Sequence, residues 1–162
     1  MQFVILAFFM VGSPVEAATP QEPDILIWEK DTINLYTYPL EGFLKDRAAI
    51  KERLNNRDCL STACWRNYLG TWQIINDKLC LKELRDPCTR ETIRLTNIFE
   101  EEMFVNDVVV ATWFTGCIKA DFGKPLGFSQ EKFRMVYEKR ISISISEGHV
   151  SSVEVVQSEE SD

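Results

Sequence analysis

An alternation of isoleucine and serine, Ile141–Ile145, constrains the fold of this 162-residue chain more than any other feature. Successive side chains of a β-strand point to opposite faces, so isoleucines at every second position predict a strand with one apolar face. The strand is predicted to cover residues 133–145. A turn at 146–149, with glycine where a positive φ is needed, then leads to a last strand at 150–156. The chain is therefore expected to form a sheet that buries one face.

Two more hairpins are predicted by the same reasoning. The β-prone runs Ile25–Trp28 and Ile33–Tyr36 flank a short polar loop. The alternating runs Gly70–Ile75 and Lys78–Leu84 flank Asn-Asp, two residues that tolerate positive φ. Successive hairpins of this kind favour an antiparallel sheet.

The middle of the chain is less regular. Residues 92–104 are predicted to form a strand followed by an acidic loop. The β-branched and aromatic run 107–118 predicts a central strand. Gly123, Pro125 and Gly127 predict a loop after it.

One helix is predicted at residues 41–55, where apolar residues recur at a helical period. They are Phe43, Leu44, Ala48, Ile50 and Leu54. The predicted fold class is therefore mainly β, of the α+β kind: about eight strands in an antiparallel meander, half-barrel or sandwich, with this one helix.

An apolar run of nine residues, Phe3–Val11, predicts export. It has the length of a signal-peptide hydrophobic region and about half the length that a membrane-spanning helix needs. Helix-breaking residues follow, and Val15-Glu16-Ala17 fits the small-residue pattern of a cleavage site after Ala17. The segment before the run carries no Lys or Arg, which departs from the usual pattern. We expect a periplasmic or secreted protein with no membrane span after cleavage.

The predicted organisation is a signal peptide at 1–17, a mobile leader at 18–23, one β-rich domain at 24–156 and an acidic tail at 157–162. A domain of this length can build its own core without a metal or disulfides.

All five cysteines lie after the predicted cleavage site. Because an exported chain meets an oxidising compartment, disulfides are expected, and an odd count leaves one thiol over. The preferred pairs are Cys59–Cys64 and Cys80–Cys88, which are close in sequence. Cys117, inside an apolar run, is expected to be a buried free thiol. Five reduced core cysteines are the alternative.

The formal net charge is −7, with 25 acidic and 18 basic residues. The phosphate backbone of a nucleic acid would be repelled, so a nucleic-acid partner is excluded and a basic protein or a neutral small ligand is favoured.

Known catalytic and metal-binding motifs are absent from the sequence. The single histidine, His149, lies in a predicted turn and is expected to be exposed there. The cysteine spacings are too loose for a zinc site, so no cofactor or metal is expected. The acidic run Glu100–Glu102 could supply a carboxylate pair, but short runs of like charge are usually solvated loops.

The most distinctive stretch is Cys59–Trp72, with two cysteines, two tryptophans, an arginine and a tyrosine in fourteen residues. Aromatic residues with an arginine are typical of binding hot spots, although aromatic residues also fill protein cores. The candidate binding residues are Trp65, Arg66, Tyr68, Trp72 and Trp113.

The same stretch, C-L-S-T-A-C-W-R-N-Y-L-G-T-W, together with A-T-W-F-T-G at residues 111–116, resembles an uncharacterised family of small bacterial proteins. The resemblance covers about half of the chain that follows the signal peptide. It implies a bacterial origin and a shared fold, and it transfers no catalytic residue, because the family has no known activity.

The leading functional hypothesis is an exported binding protein without enzymatic activity, one version of which is an immunity-type inhibitor of a basic toxin. The alternatives are a carrier of a small apolar ligand inside a curved sheet and a hydrolase that uses an acidic pair.

Overall fold

The computed structural model describes residues 21–55, 62–129 and 134–158. The predicted signal peptide lies outside these residues, as do the start of the predicted leader and the end of the predicted tail. Within the described ranges, no helix combines the length and apolar character needed to cross a membrane.

The described part of the chain contains ten strands, two α-helices and two short 3-10 helices. In chain order they are β1 (Asp24–Trp28), β2 (Asp31–Leu35), α1 (Pro39–Leu44), α2 (Ala48–Asn55), β3 (Leu69–Ile75), β4 (Lys78–Arg85), β5 (Thr92–Ile93), 3-10 turns at Leu95–Asn97 and Glu101–Met103, β6 (Phe104–Val105), β7 (Val108–Val110), β8 (Gly116–Ser129), β9 (Arg134–Ser146) and β10 (His149–Gln157).

All ten strands belong to one sheet, in which the main path runs β2-β1-β3-β4-β10-β9-β8. The sheet curls until its two end strands, β2 and β8, lie side by side across a seam. The result is a nearly closed barrel, which confirms the predicted mainly-β class. Strands β5 and β7 pair with β4, and β6 pairs with β7.

One strand pair departs from an all-antiparallel meander: β1 runs parallel to β3, with Leu26 opposite Trp72. Parallel neighbours need a long crossover connection. The chain between β2 and β3 supplies it and carries both helices.

The three predicted hairpins are present. Asn76 and Asp77, at the β3–β4 turn, have φ of 48° and 57°, and Glu147 and Gly148, at the β9–β10 turn, have φ of 49° and 80°. Positive φ at both central residues suits the right-handed twist of the strands that such a turn joins.

The predicted helix at 41–55 is two helices. α1 begins at Pro39, which is well placed in a first helical turn, and ends at Leu44. The guanidinium Nη1 of Arg47 donates to the Phe43 carbonyl at 2.8 Å in the break between the helices. Phe43, Leu44 and Leu54 are buried as predicted, whereas Ala48 is exposed.

The prediction of one continuous central strand at 107–118 is wrong, because this stretch contains β7 and the first residues of β8 with a turn between them. β7 ends at Val110, and a tight turn follows, in which Phe114 N–H donates to the Ala111 carbonyl at 2.9 Å. The predicted loop at residues 123–127 lies instead within β8, where two register shifts against β9 absorb the irregular residues.

The barrel interior is filled by large side chains, including Leu26, Trp72, Leu81 and Ile143, all fully buried. An aromatic cluster packs at α1: the ring of Phe43 lies 4.7 Å from Trp113 and 4.8 Å from Phe99. The Trp113 indole also donates to the Pro39 carbonyl at 2.9 Å. These contacts join α1 to the segment before β6 and to the turn after β7.

Candidate functional site

The structure separates the five candidate binding residues. Trp65 is exposed, with 76% of its surface accessible, but Tyr68 and Trp72 are fully buried and Trp113 is half-buried in the aromatic cluster. The Arg66 side chain is only 7% exposed. The stretch is therefore mainly part of the core. Because Tyr68 and Trp72 are buried, they cannot belong to the predicted binding surface.

Arg66 instead joins three parts of the fold. Its Nη2 donates to the Glu22 carbonyl at 2.8 Å and lies 3.4 Å from Asp24 Oδ1, and its guanidinium carbon stacks 3.6 Å from the centre of the Tyr38 ring. Its Nε and Nη1 are buried without a hydrogen-bond partner among the described residues. The packing fixes the loop before β3 against the start of β1.

Asp24 is the buried carboxyl of this cluster. It accepts hydrogen bonds from the Trp72 indole at 2.9 Å and from Gly70 N–H at 3.0 Å. Burial raises the pKa of Asp24 to about 6, and the hydrogen bonds and the Arg66 charge oppose that rise. With no exposed surface, this carboxyl cannot reach a substrate, so its role is structural.

The predicted disulfides are wrong. Cys64 and Cys80 carry free, buried thiols, so neither can pair as expected. The Cys64 thiol donates to the Tyr68 carbonyl at 3.1 Å, and burial raises its pKa. Cys88 is disulfide-bonded, and Cys59 lies outside the described residues. Cys117 is a free thiol, as expected, but it is exposed rather than buried because it lies on the outer face of β8.

The acidic residues do not form a catalytic pair in the described residues. Glu100, Glu101 and Glu102 are exposed at a 3-10 turn. Glu83 and Glu22 line a groove of about 860 Å³ on the outer face of the sheet, but each is ion-paired, with Arg85 at 3.0 Å and with Arg90 at 2.7 Å. The hydrogen bond from Arg85 lowers the pKa of Glu83, which is the opposite of what a general acid needs.

A second groove, of about 830 Å³, lies at the seam between β2 and the β8–β9 hairpin. Tyr36 and Tyr137 line it together with Asp121 and Arg140, which form an ion pair of 2.6 Å between Arg140 Nε and Asp121 Oδ1. This groove is open to solvent, and the barrel interior beside it is filled. A ligand carrier would therefore have to use the seam rather than the inside of the barrel.

The feature that most resembles an interaction site is the edge of β10. β10 pairs with β9 along its whole length, but with β4 only at His149 and Lys78. Beyond that pair, β7 takes the position beside β4, with Val110 opposite Cys80. No other described strand pairs with the second side of β10 from Ser151 to Gln157, and this stretch is called the β10 edge below.

The orientation of the backbone along the β10 edge follows from two hydrogen bonds. Val150 N–H donates to Asp77 on the β4 side, and Ser158 N–H donates to Glu138 on the β9 side, both at 2.8 Å. A bulge at Ser151 separates the two stretches. Since hydrogen-bonding direction alternates along an antiparallel strand, Val153, Val155 and Gln157 point their N–H and C=O groups away from β9. No described strand pairs with these outward-facing groups.

The side chains of the β10 edge are unusually apolar for a free edge. Val153 and Val155 are 40% and 47% exposed, although their cross-strand neighbours Ile143 and Ile141 are completely buried. Val156 is exposed on the opposite face. Exposed apolar residues beside unpaired backbone groups are a template for pairing with another chain.

No protein-family model matches the chain, and no curated protein or solved structure matches it. The resemblance carried by the Cys59–Trp72 stretch therefore stays an expectation. No group of metal-ligating side chains converges among the residues in the described ranges.

The β10 strand is predicted from its sequence, but its open edge is not. The signal was the spacing of Val153, Val155 and Val156, which puts apolar residues on both faces of a last strand. What the sequence did not show is that β7, and not β10, lies beside β4.

Proposed function

We propose that this protein is an exported binding protein that captures an extended segment of a partner protein by adding it as a strand to the β10 edge. The observation that carries the proposal is that Val153 and Val155 are exposed on a strand whose outward backbone groups pair with no other described strand. Main-chain hydrogen bonds give affinity in this mode of recognition, and alternate side chains give specificity.

Two physical effects favour strand addition here. The outward-facing amides of Val153, Val155 and Gln157 are preordered by pairing with β9, so the protein loses little conformational freedom on binding. The apolar face that Ile141 and Ile143 form continues across Val153 and Val155, so an added strand with apolar residues opposite them extends the buried face.

A neutral peptide tests the strand addition. Titration of acetyl-Thr-Val-Thr-Val-Thr-amide into the protein, followed by amide NMR, is expected to shift and protect Val153, Val155 and Gln157. Val155→Pro removes an N–H that points away from β9, so it should abolish the response and leave the β9 pairing in place. Val155→Thr keeps that N–H and is the matched control. A response spread over the barrel, or one unchanged in Val155→Pro, contradicts the proposal.

Export is part of the same proposal and is supported by the apolar run at Phe3–Val11. Intact mass of protein recovered from the periplasm or medium should correspond to a chain that begins at Ala18. Recovery of the protein from the cytosol with Met1 intact would contradict the prediction of export.

An immunity-type inhibitor is the specific form of binding protein that the acidic charge supports, because the chain keeps a net negative charge after cleavage and so favours a basic toxin. When this protein is expressed together with the product of a neighbouring toxin gene, it is expected to restore the growth of cells that the toxin inhibits. Val155→Pro should abolish this protection, and Val155→Thr should retain it. Equal rescue by the two variants would separate inhibition from the β10 edge.

A further inference from the structure

The charges around the β10 edge bear on the chemistry of its partner. Glu154 is exposed at the middle of the edge, and no ion pair joins it to any described residue. Two basic residues of the neighbouring strand β9 are already paired: Lys139 lies 3.5 Å from Glu138, and Arg140 lies 2.6 Å from Asp121. Lys119 lies in the same cross-strand row but two strands away, on β8. Glu154 is therefore the one charged side chain on the β10 edge itself, and it is acidic.

The position of Glu154 in the ladder makes its charge felt by an added strand. Val153 and Val155 point their backbone groups toward the added strand, so Glu154 between them would form a non-hydrogen-bonded pair with a strand that adds antiparallel to β10. Side chains are closest in such pairs, and opposite charges directly across stabilise the pairing whereas like charges oppose it.

The side chains next to Glu154 fix the rest of the pattern. Val153 and Val155 lie on one face of the sheet, and Glu154 lies on the other. Residues of the added strand that pair with the two valines face the same apolar side. The complementary segment therefore has a β-branched or other apolar residue on each side of a basic residue.

A second copy of this chain fits the edge poorly. A symmetric antiparallel pairing of two β10 strands that aligns Val153 with Val155 also places Glu154 opposite Glu154. Each copy also carries a net negative charge. Both features oppose self-association at this edge.

From these contacts we infer that the partner segment is an extended apolar–basic–apolar sequence whose Lys or Arg lies opposite Glu154. The inference rests on the proposed strand addition and adds the chemistry of the partner to it. The apolar residues of the segment are buried against Val153 and Val155. The pairing of the basic residue with Glu154 makes the segment prefer the β10 edge to other exposed strand edges.

Matched peptides test the charge. Acetyl-Thr-Val-Lys-Val-Thr-amide should bind the wild-type protein on the order of three- to tenfold more tightly than acetyl-Thr-Val-Glu-Val-Thr-amide, because one cross-strand pair changes from attraction to repulsion. Glu154→Lys should reverse that preference, and Glu154→Gln should remove most of it. The dissociation constants come from NMR titration at low salt, with sedimentation analysis of the free protein alongside.

Each outcome separates the two proposals. Equal binding of both peptides, with shifts at Val153, Val155 and Gln157, overturns the basic-partner inference and leaves strand addition standing. No response at these amides to either charged peptide or to the neutral one overturns both. A dimer that protects the same amides without peptide replaces the basic partner with a second copy.

Discussion

Val155 lies directly opposite Ile141 in the β9–β10 pairing, yet Val155 is 47% exposed and Ile141 is completely buried. The two side chains point to the same face of the sheet, so the difference marks where the covered core ends. β10 runs past that boundary, and no other described strand pairs with its second edge there. The proposed addition of a partner strand depends on this boundary.

The first prediction compares these two neighbours. Ile141→Ala should lower the free energy of unfolding by about 2–5 kcal/mol, because it leaves a cavity in a packed core. Val155→Ala should cost less than about 1 kcal/mol, because a half-exposed side chain leaves no cavity. Urea denaturation of the isolated protein measures both. Similar losses for the two variants would mean that Val155 is covered.

A second prediction concerns the Arg66 cluster. Arg66→Met keeps most of the side-chain volume but removes the charge beside Asp24 and the contact with Tyr38. Breaking a buried pair in this way is expected to cost about 3 kcal/mol of unfolding free energy. Trp65→Ala, one residue away and exposed, should change it by less than about 0.5 kcal/mol. Thermal or urea unfolding tests the contrast, and an Arg66→Met protein as stable as wild type would refute the structural role.

A third prediction concerns pH. The pKa of Asp24 is about 6 in the folded protein and about 3.9 in an unfolded chain. Between these values the folded state holds a proton that the unfolded state has lost, so the contribution of Asp24 to stability falls as pH rises from about 4 to 6 and is constant above that range.

Asp24→Asn removes this dependence. As the pH rises from 4 to 7, the unfolding free energy of the wild type should therefore fall relative to that of Asp24→Asn, by on the order of 3 kcal/mol at most. Urea denaturation at several pH values measures it. A carboxyl carbon resonance of Asp24 that titrates below pH 4 would contradict the assignment.

The cysteines give a fourth prediction. An alkylating reagent should modify Cys117 in the native protein, whereas the buried thiols of Cys64 and Cys80 should react only after unfolding. Burial also raises the pKa of both buried thiols, which slows their reaction further. Non-reducing peptide mapping should find Cys88 in a disulfide. Detection of a Cys80–Cys88 peptide would contradict the free thiol of Cys80.

Much of the fold follows from local sequence patterns. The alternating isoleucines of β9 and the Asn76-Asp77 and Glu147-Gly148 turns specify hairpins without reference to the rest of the chain. Period and turn chemistry act over a few residues, so a single sequence is enough to predict them.

The errors arise where distant contacts override a local pattern. Residues 107–118 have high strand propensity throughout, but Ala111 N–H donates to Leu79 at the end of β7, and the chain then turns. The parallel β1–β3 pair likewise depends on how the connection with α1 and α2 packs. Propensity does not encode these long-range pairings.

The candidate site was the hardest part to predict. The aromatic residues and arginine near Trp72 resemble a binding hot spot in sequence, but Asp24, 48 residues earlier, accepts the Trp72 indole hydrogen bond and draws the cluster into the core. The β10 edge in turn exists because β7 occupies the position beside β4. Neither relationship can be read from the residues near it in sequence.

Amide hydrogen exchange in the free protein tests the open edge most directly. The N–H groups of Ser152, Glu154 and Val156 face β9 and should exchange slowly, whereas those of Val153, Val155 and Gln157 face outward and should exchange rapidly. Alternating fast and slow exchange along β10 is the predicted result. Uniform protection from Ser152 to Gln157 at every protein concentration would show that the edge is covered within the molecule, and it would contradict the proposed function.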